Sequence, residues 1–334
     1  MNTSATVQKS RRLLVGVLAL LAVLCLCLSS CGTSAASRIV VSNPCLFAAH
    51  YRTLMEQHCH TTKSDGKLTV AQVINSYASA GFRALAITDH NLVVWPWPVD
   101  PSGMIPVQGD EVSKYQSMQG YHITSLFCDY VPDANVTPQS CIDQVLARKG
   151  LAIISHPNLS GKSARDIEKL AGYKGIEIFN RAAELITNKG YSLDVWDGLL
   201  STSGRMVWGY AVDDWHGNPQ GISWGKIIVL SDAVSADAFR ASLKNGCFYS
   251  VVGTGELRFR DVTVSGKKIT VDTTEPADIT FIGREGKVLG SAENTRSAHY
   301  EVAGDELYVR IEAVSADGAT TVYSNPLFVK VSAR

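Results

Sequence analysis

No run of lysine or arginine occurs in this 334-residue chain, and its 31 basic residues are matched by 31 acidic ones. Proteins that track nucleic acid carry a basic stripe, so stable nucleic-acid binding is not expected. Paired cysteine spacing is missing too. Of the 8 cysteines, Cys25, Cys27 and Cys31 fall in the first 31 residues. The others, Cys45, Cys59, Cys128, Cys141 and Cys247, are odd in number and lack the spacing of a disulfide framework. A Cys128–Cys141 bridge across the Pro/Asn/Asp loop is open but not expected. Cys59 on an extended backbone points away from its two neighbours and reads as a small buried residue.

The apolar run from Leu13 to Leu28 follows Lys9, Arg11 and Arg12 and ends in Leu28-Ser29-Ser30-Cys31. That is the shape of a secretory signal, and its end resembles the bacterial lipobox, with Cys31 as the lipidated residue. A transmembrane helix is the alternative, but the run falls short of the roughly 20 residues a span needs. Residues 1–31 are therefore expected to be a lipoprotein signal and 32–44, rich in Ser, Ala and Thr, a tether. The expected location is outside the cytoplasm, lipid-anchored to the cell membrane or envelope. Three basic residues and no acid leave with the signal, so the mature chain has 28 against 31, a formal charge of −3. Roughly 290 residues remain, enough for one large domain and one small one.

Histidine carries the chemistry. Six of the 8 histidines lie in short clusters: His58-Cys59-His60 with Ser64-Asp65-Gly66, Thr88-Asp89-His90, Tyr121-His122, Ser155-His156-Pro157 and Asp214-Trp215-His216. Gly109-Asp110-Glu111 adds a carboxylate, and only His50 and His299 fall outside. Neutral imidazole and carboxylate are the usual ligands of zinc, manganese and iron. A lone His-x-His is weak, because alternate residues on a strand face one way by geometry alone. Five clusters, each beside a strand, are a different matter.

The clusters follow short apolar runs that read as buried parallel strands. Residues 84–87 lead into Asp89 and His90, 104–107 into Glu111, 151–154 into His156, 175–179 into Asn180, and 205–208 towards Asp213 and Asp214; His122 instead begins its strand. Helices are expected over 69–80, 137–149, 163–170 and 235–245. Thr69 and Thr137 suit N-caps, and Gly81, Gly150 and Gly246 suit the left-handed residue after the last turn. Strands alternating with helices imply an α/β fold with a parallel sheet, and this many repeats imply a barrel. Loops at the carboxyl ends of barrel strands converge on one site. From Gly255 the pattern becomes short alternating strands with Gly-rich turns such as Gly283-Arg284-Glu285-Gly286, read as a small antiparallel β-sandwich over 255–334.

From about Tyr51 to Val252 these motifs resemble the PHP (polymerase and histidinol phosphatase) superfamily. Its pattern runs His-x-His-Thr-x-x-Ser-Asp-Gly, Thr-Asp-His, Gly-x-Glu, His, Ser/Ala-His-Pro and Asp-x-His. The trailing β-domain makes the chain look most like an extracellular branch that includes carbamate-cleaving hydrolases. The resemblance implies a distorted seven-stranded β/α barrel over 45–254. It also implies two or three divalent transition metals (zinc, manganese or iron). His58, His60, Glu111 and Asp214 would hold the first. Glu111 would bridge to a second held by His122 and His156, and Asp65, His90 and His216 would hold a third.

Two cations about 3.5–4 Å apart can activate a water between them near neutral pH. Phosphoester hydrolysis of a small or nucleotide-like substrate, such as a short oligonucleotide, is therefore the leading expectation. The alternatives are hydrolysis of an amide, ester or carbamate at the same site, and a non-catalytic surface lipoprotein that binds metal or ligand. Glu111, Asp214, Asp89 and Arg181 are the candidate catalytic residues. Asp89 and Asp213 are expected to fix imidazole tautomers. Asn91, Asn158, Lys162, Asn180 and Arg181 are expected at substrate oxygens, with Arg181 the preferred phosphate clamp. Trp95 and Trp97 either wall the pocket or pack a loop.

Overall fold

The computed structural model describes residues 38–42, 49–113 and 116–332. Cys31, the signal, the tether before Arg38 and Cys45 lie outside the described residues. Among those described, no helix is long and apolar enough to cross a membrane. Ile39–Lys330 form one compact unit.

After a short strand β1 (Arg38–Ser42), the chain enters β2 (Tyr51–Glu56), helix α1 (Val70–Ser79) and β3 (Ala84–Ala86). Then come β4 (Ile105–Val107), β5 (Gly109–Val112), β6 (Ile123–Leu126), α2 (Pro138–Ala147) and β7 (Leu151–Ile154). A short α3 (Ala164–Ile167) leads to β8 (Gly175–Asn180), α4 (Arg181–Thr187), α5 (Leu193–Ser203) and β9 (Trp208–Val212). β10 (Gly225–Ser231), α6 (Ala236–Asn245) and β11 (Phe248–Gly253) complete this part. The four helices expected from sequence are present, and Thr69 and Thr137 both cap by reciprocal capping boxes, which satisfy two orphan donors at each start. Of the three helix-ending glycines, Gly81 and Gly246 have positive φ. The third expectation fails. Lys149 takes the left-handed conformation at φ 62°, while Gly150 is needed because a Cβ there would meet Cys128 Sγ at 2.6 Å. Cys128 and Cys141 are free thiols.

The parallel expectation holds only in part. β2–β3–β4 and β7–β8–β9 pair in parallel, but β5–β6–β7 are antiparallel. The connection from β5 to β6 carries no crossover helix, so the strand returns beside the one it left. Two single bridges join the strand ends at the site, His90 to Glu111 and Cys59 to Trp215, both parallel. Cys59 itself is fully buried, its thiol 3.4 Å from the Ala86 carbonyl, on the face away from the histidines.

Beyond residue 255 lie β12 (Phe259–Ser265), β13 (Lys268–Ile282), β14 (Val288–Glu301), β15 (Tyr308–Ser315), β16 (Thr320–Ser324) and β17 (Leu327–Ser332). Pairing in this region is antiparallel, as expected. The strands do not stand apart, however. β16 pairs with β11, and β11 with β10, which pairs with β2. One apolar core correspondingly takes in Tyr308, Tyr323 and Phe328 together with Trp196, Tyr210 and Phe248. A buried ion pair spans the same seam: Arg310 donates to Asp197 of α5 from Nε at 2.8 Å and Nη2 at 2.7 Å.

Candidate metal centre

Strand ends and the residues just past them bring the clusters together. His58 and His60 follow β2, Asp89 and His90 follow β3, and Glu111 sits inside β5. His122 immediately precedes β6, His156 follows β7, and Asp214 and His216 follow β9. The loop after His60 closes tightly, because a Cβ on Gly66 would lie 2.5 Å from the His60 carbonyl oxygen; this is why Ser-Asp-Gly ends the first motif. His156 and Asp214 hold left-handed backbones at φ 29° and 51°, which non-glycine residues adopt at a cost and keep mainly where function over-determines them.

Glu111 divides the histidines between its two oxygens. Oε1 lies 2.9 Å from His122 Nδ1 and 3.0 Å from His156 Nε2. Oε2 lies 2.9 Å from His90 Nδ1, 3.4 Å from His58 Nε2 and 3.6 Å from His60 Nε2. Asp214 Oδ1 is 3.0 Å from His60 Nε2 and 3.4 Å from His58 Nε2. On the outer side, half-exposed Asp65 faces His216 Nε2 at 3.3 Å and His90 Nε2 at 3.5 Å. Three overlapping donor groups result: His58/His60/Asp214, Glu111/His122/His156 and His60/Asp65/His90/His216. His60 belongs to two of them. The nine residues expected as ligands are thus all in one place.

The donors fit a cation. Among the described residues, His58 Nε2, both ring nitrogens of His60 and Asp214 Oδ1 are buried without a well-formed hydrogen bond, although His60 Nε2 and Asp214 Oδ1 lie 3.0 Å apart, a costly state unless something else satisfies them. Burial opposes ionisation of Glu111, yet His58, His122 and His156 around it hold its carboxyl well below the usual range. Burial likewise opposes a charged His58, but Asp214, Glu177 and Glu111 push that imidazole up. Carboxylates that need positive neighbours, around imidazoles with orphaned nitrogens, are what divalent ions would balance.

One functional residue escapes the sequence motifs. Glu177, in the middle of β8, accepts from His58 Nδ1 at 2.6 Å, from the His156 backbone N–H at 2.8 Å and from Asn180 Nδ2 at 2.8 Å. Its signal is an acid flanked by isoleucines inside a fully buried strand, which must have partners. Bonded at Nδ1, His58 presents Nε2 to the centre. Glu177→Gln is expected to weaken metal retention about 10- to 100-fold, the usual penalty for losing such a support. Chelator competition measures it, and retention within about twofold of wild type would leave Glu177 without this role.

Several expected contacts lie elsewhere. Asp89 accepts from the N–H and hydroxyl of Thr61 at 2.8 and 2.6 Å and from those of Ser64 at 3.1 and 2.6 Å, so it braces the first motif's loop and not an imidazole. Asp213 accepts from Tyr77 Oη at 3.1 Å and from the N–H groups of Ser223, Trp224 and Gly225. Neither fixes a tautomer. Arg181 stacks on Trp224, 3.9 Å from the ring centre, and donates twice to the Gln220 carbonyl, which occupies the expected phosphate clamp. Lys162 Nζ donates to Gln119 O at 2.7 Å over the Tyr121 ring. Asn158 is tied to Tyr191 O and Asp194, and Asn91 Oδ1 accepts from Ser113 N. Asn180 does reach the centre, by supporting Asp214 Oδ2 at 3.1 Å and Glu177. Trp97 packs against an apolar cluster, whereas Trp95 is exposed.

No family model matches the chain, and no curated protein matches it. Among solved structures, it is similar to a two-domain protein from Bacteroides vulgatus containing a predicted PHP-like metal-dependent phosphoesterase. The TM-score is 0.51 at 12% identity, covering 89% of this chain and 99% of that one. That likeness shows a shared fold. Looser overlaps occur with a provisional metal-dependent phosphoesterase from Bifidobacterium adolescentis (TM-score 0.41, 15% identity, 57% and 96% coverage). An amidohydrolase from Chromobacterium violaceum, with sulfate and no metal, overlaps at TM-score 0.37 and 16% identity over 50% and 89% of the two chains. Neither of these two overlaps is close enough to bear on fold or chemistry.

Proposed function

We propose that this chain is an exported, metal-dependent phosphoesterase acting on a small or nucleotide-like phosphate ester. The observation that carries it is the division of Glu111, one oxygen towards His122 and His156 and the other towards His58, His60 and His90. A carboxylate so placed can bridge two cations. His58, His60 and Asp214 would hold one and His122 and His156 the next, with Asp65, His90 and His216 around a third. When bound, zinc, manganese or iron would supply Lewis-acid charge and a water activated near neutral pH. The chain's own part is to position the donors: Glu177 orients His58, Asn180 supports Asp214, and Asp89 holds the loop that carries Asp65.

A second reading has a specific observation in its favour. The two cationic side chains expected at a phosphate, Lys162 and Arg181, are engaged by the backbone carbonyls of Gln119 and Gln220 respectively, and an amide, ester or carbamate needs no such clamp. Assay of metal-loaded protein against p-nitrophenyl phosphate, a phosphodiester, an acetate and a carbamate separates the two. Phosphate turnover with little carbonyl cleavage is expected; carbamate or ester cleavage alone, under each of manganese, iron and zinc, would overturn the first reading in favour of the carbamate-cleaving branch.

We further read the strands joined by the bridges at His90–Glu111 and Cys59–Trp215 as a distorted seven-stranded barrel spanning 45–254. Residues 255–334 would then be a sandwich module that shares its sheet. Export rests on the leader, and the membrane partner would be reached through a lipid on Cys31. Radiolabelled palmitate should enter the wild-type protein and not Cys31→Ser; equal labelling would remove the anchor.

A further inference from the structure

At the opposite end of the strands from the histidines, a cavity of about 520 Å³ is lined by Lys149, Lys174, Arg240, Lys244 and Asp237, together with Leu146 and Leu151. Leu151 begins β7 and Lys174 immediately precedes β8, whereas His156 and Asn180 lie past or at the other ends of these two strands. At about 3.3 Å per residue the cavity is therefore some 13 Å or more from the metal centre.

Four cations face one acid there, and that acid is spoken for: Asp237 lies 3.8 Å from Arg240. Among the described residues no carboxylate forms an ion pair with Lys149, Lys174 or Lys244. The bland explanation is helix-end compensation, because α2 and α6 both finish here and each carries roughly half a negative charge at its last carbonyls. That offsets about one unit of a formal +3, leaving about +2 in a chain whose formal net charge is zero. A second observation points the same way. Lys149 occupies the left-handed position after α2 at φ 62°, where glycine is favoured, so the fold carries a strained lysine at the cavity's rim.

We propose that this cavity binds a multiply charged phosphate-bearing anion, independently of the metal centre. Its volume suits a small ligand, and lysine ammonium groups bind phosphate as point charges. The phosphate could be that of a soluble molecule or of a lipid headgroup, since both present the same oxygens. This inference does not rest on the proposed hydrolysis and stands or falls separately.

Full-length protein in phosphatidylcholine nanodiscs, titrated calorimetrically with pyrophosphate, is the test. Lys149→Gly is the key variant, because glycine relieves the backbone and cannot fail to fold for that reason. It should melt no lower than wild type while binding pyrophosphate more weakly. Lys149→Gly/Lys174→Gln/Arg240→Gln should lose at least about tenfold in affinity, since each removes a charged contact, with metal content and hydrolysis unchanged. Equal binding by wild type and the triple variant would overturn the proposal. Repeating the titration in phosphatidylglycerol discs assigns the source at physiological ionic strength, where the screening length is about 8 Å. Loss of binding there means that a lipid headgroup already fills the cavity; retention means a soluble phosphate.

Discussion

Glu111→Gln is expected to lower turnover of the best substrate by at least about a thousandfold and to remove more than one metal ion at once. The substitution keeps the size of the side chain but removes its charge and turns one oxygen into an N–H donor. That carboxylate lies within 3.6 Å of five imidazoles, so no other single change touches as many donors. His122 and His156 would lose the oxygen they share, and His58, His60 and His90 would face one charge fewer. The size of the loss reflects how much of such catalysis resides in bound cations. Steady-state kinetics and elemental analysis of the same preparation read both effects. Activity above a tenth of wild type with a full metal complement would refute a bridging role.

Arg310→Ala should destabilise the folded chain by about 3–5 kcal/mol, the usual cost of leaving a buried charge without its partner. Arg310 is 3% exposed and Asp197 8%, so water cannot replace the guanidinium. The pair is bidentate, Tyr308 Oη donates at 2.9 Å to Asp197 Oδ1, which also accepts from Arg310 Nε, and Glu312 takes a third guanidinium nitrogen at 2.7 Å. Replacing both Arg310 and Asp197 with apolar residues should cost far less, because neither charge is then stranded. Urea unfolding of the single and double variants measures this. A single-variant loss under about 1 kcal/mol would show that the pair does not clasp the seam.

The clustering of the candidate donors was legible because most of their motifs are local: a strand of three to six residues, then a side chain that can bind metal, with Glu111 inside its strand and His122 just before its own. Helix starts were legible for the same reason, since Thr69 and Thr137 act on residues three positions away. What escaped depended on partners far along the chain. Arg181 is a plausible clamp until Trp224 and Gln220 are folded against it. Asp89 sits beside His90 yet serves Thr61 and Ser64, which only the closed loop reveals. α4, α5 and the strands β10 and β11 lie between recognisable motifs and carry none of their own. β14 is largely exposed along its length, so it shows little of the burial alternation that marks a strand.

The seam between β11 and β16 has a consequence for how the chain can be shortened. β11 offers one edge to β10 and the other to β16. A protein ending near Gly253 would present that second edge as a bare row of N–H and carbonyl groups, with the apolar faces of Tyr210, Phe248 and Trp208 losing Tyr323 and Phe328 as cover. Open edges of that kind recruit strands from other molecules. The last eighty or so residues therefore act as a stopper on the stickiness of the preceding strands, whatever else they bind.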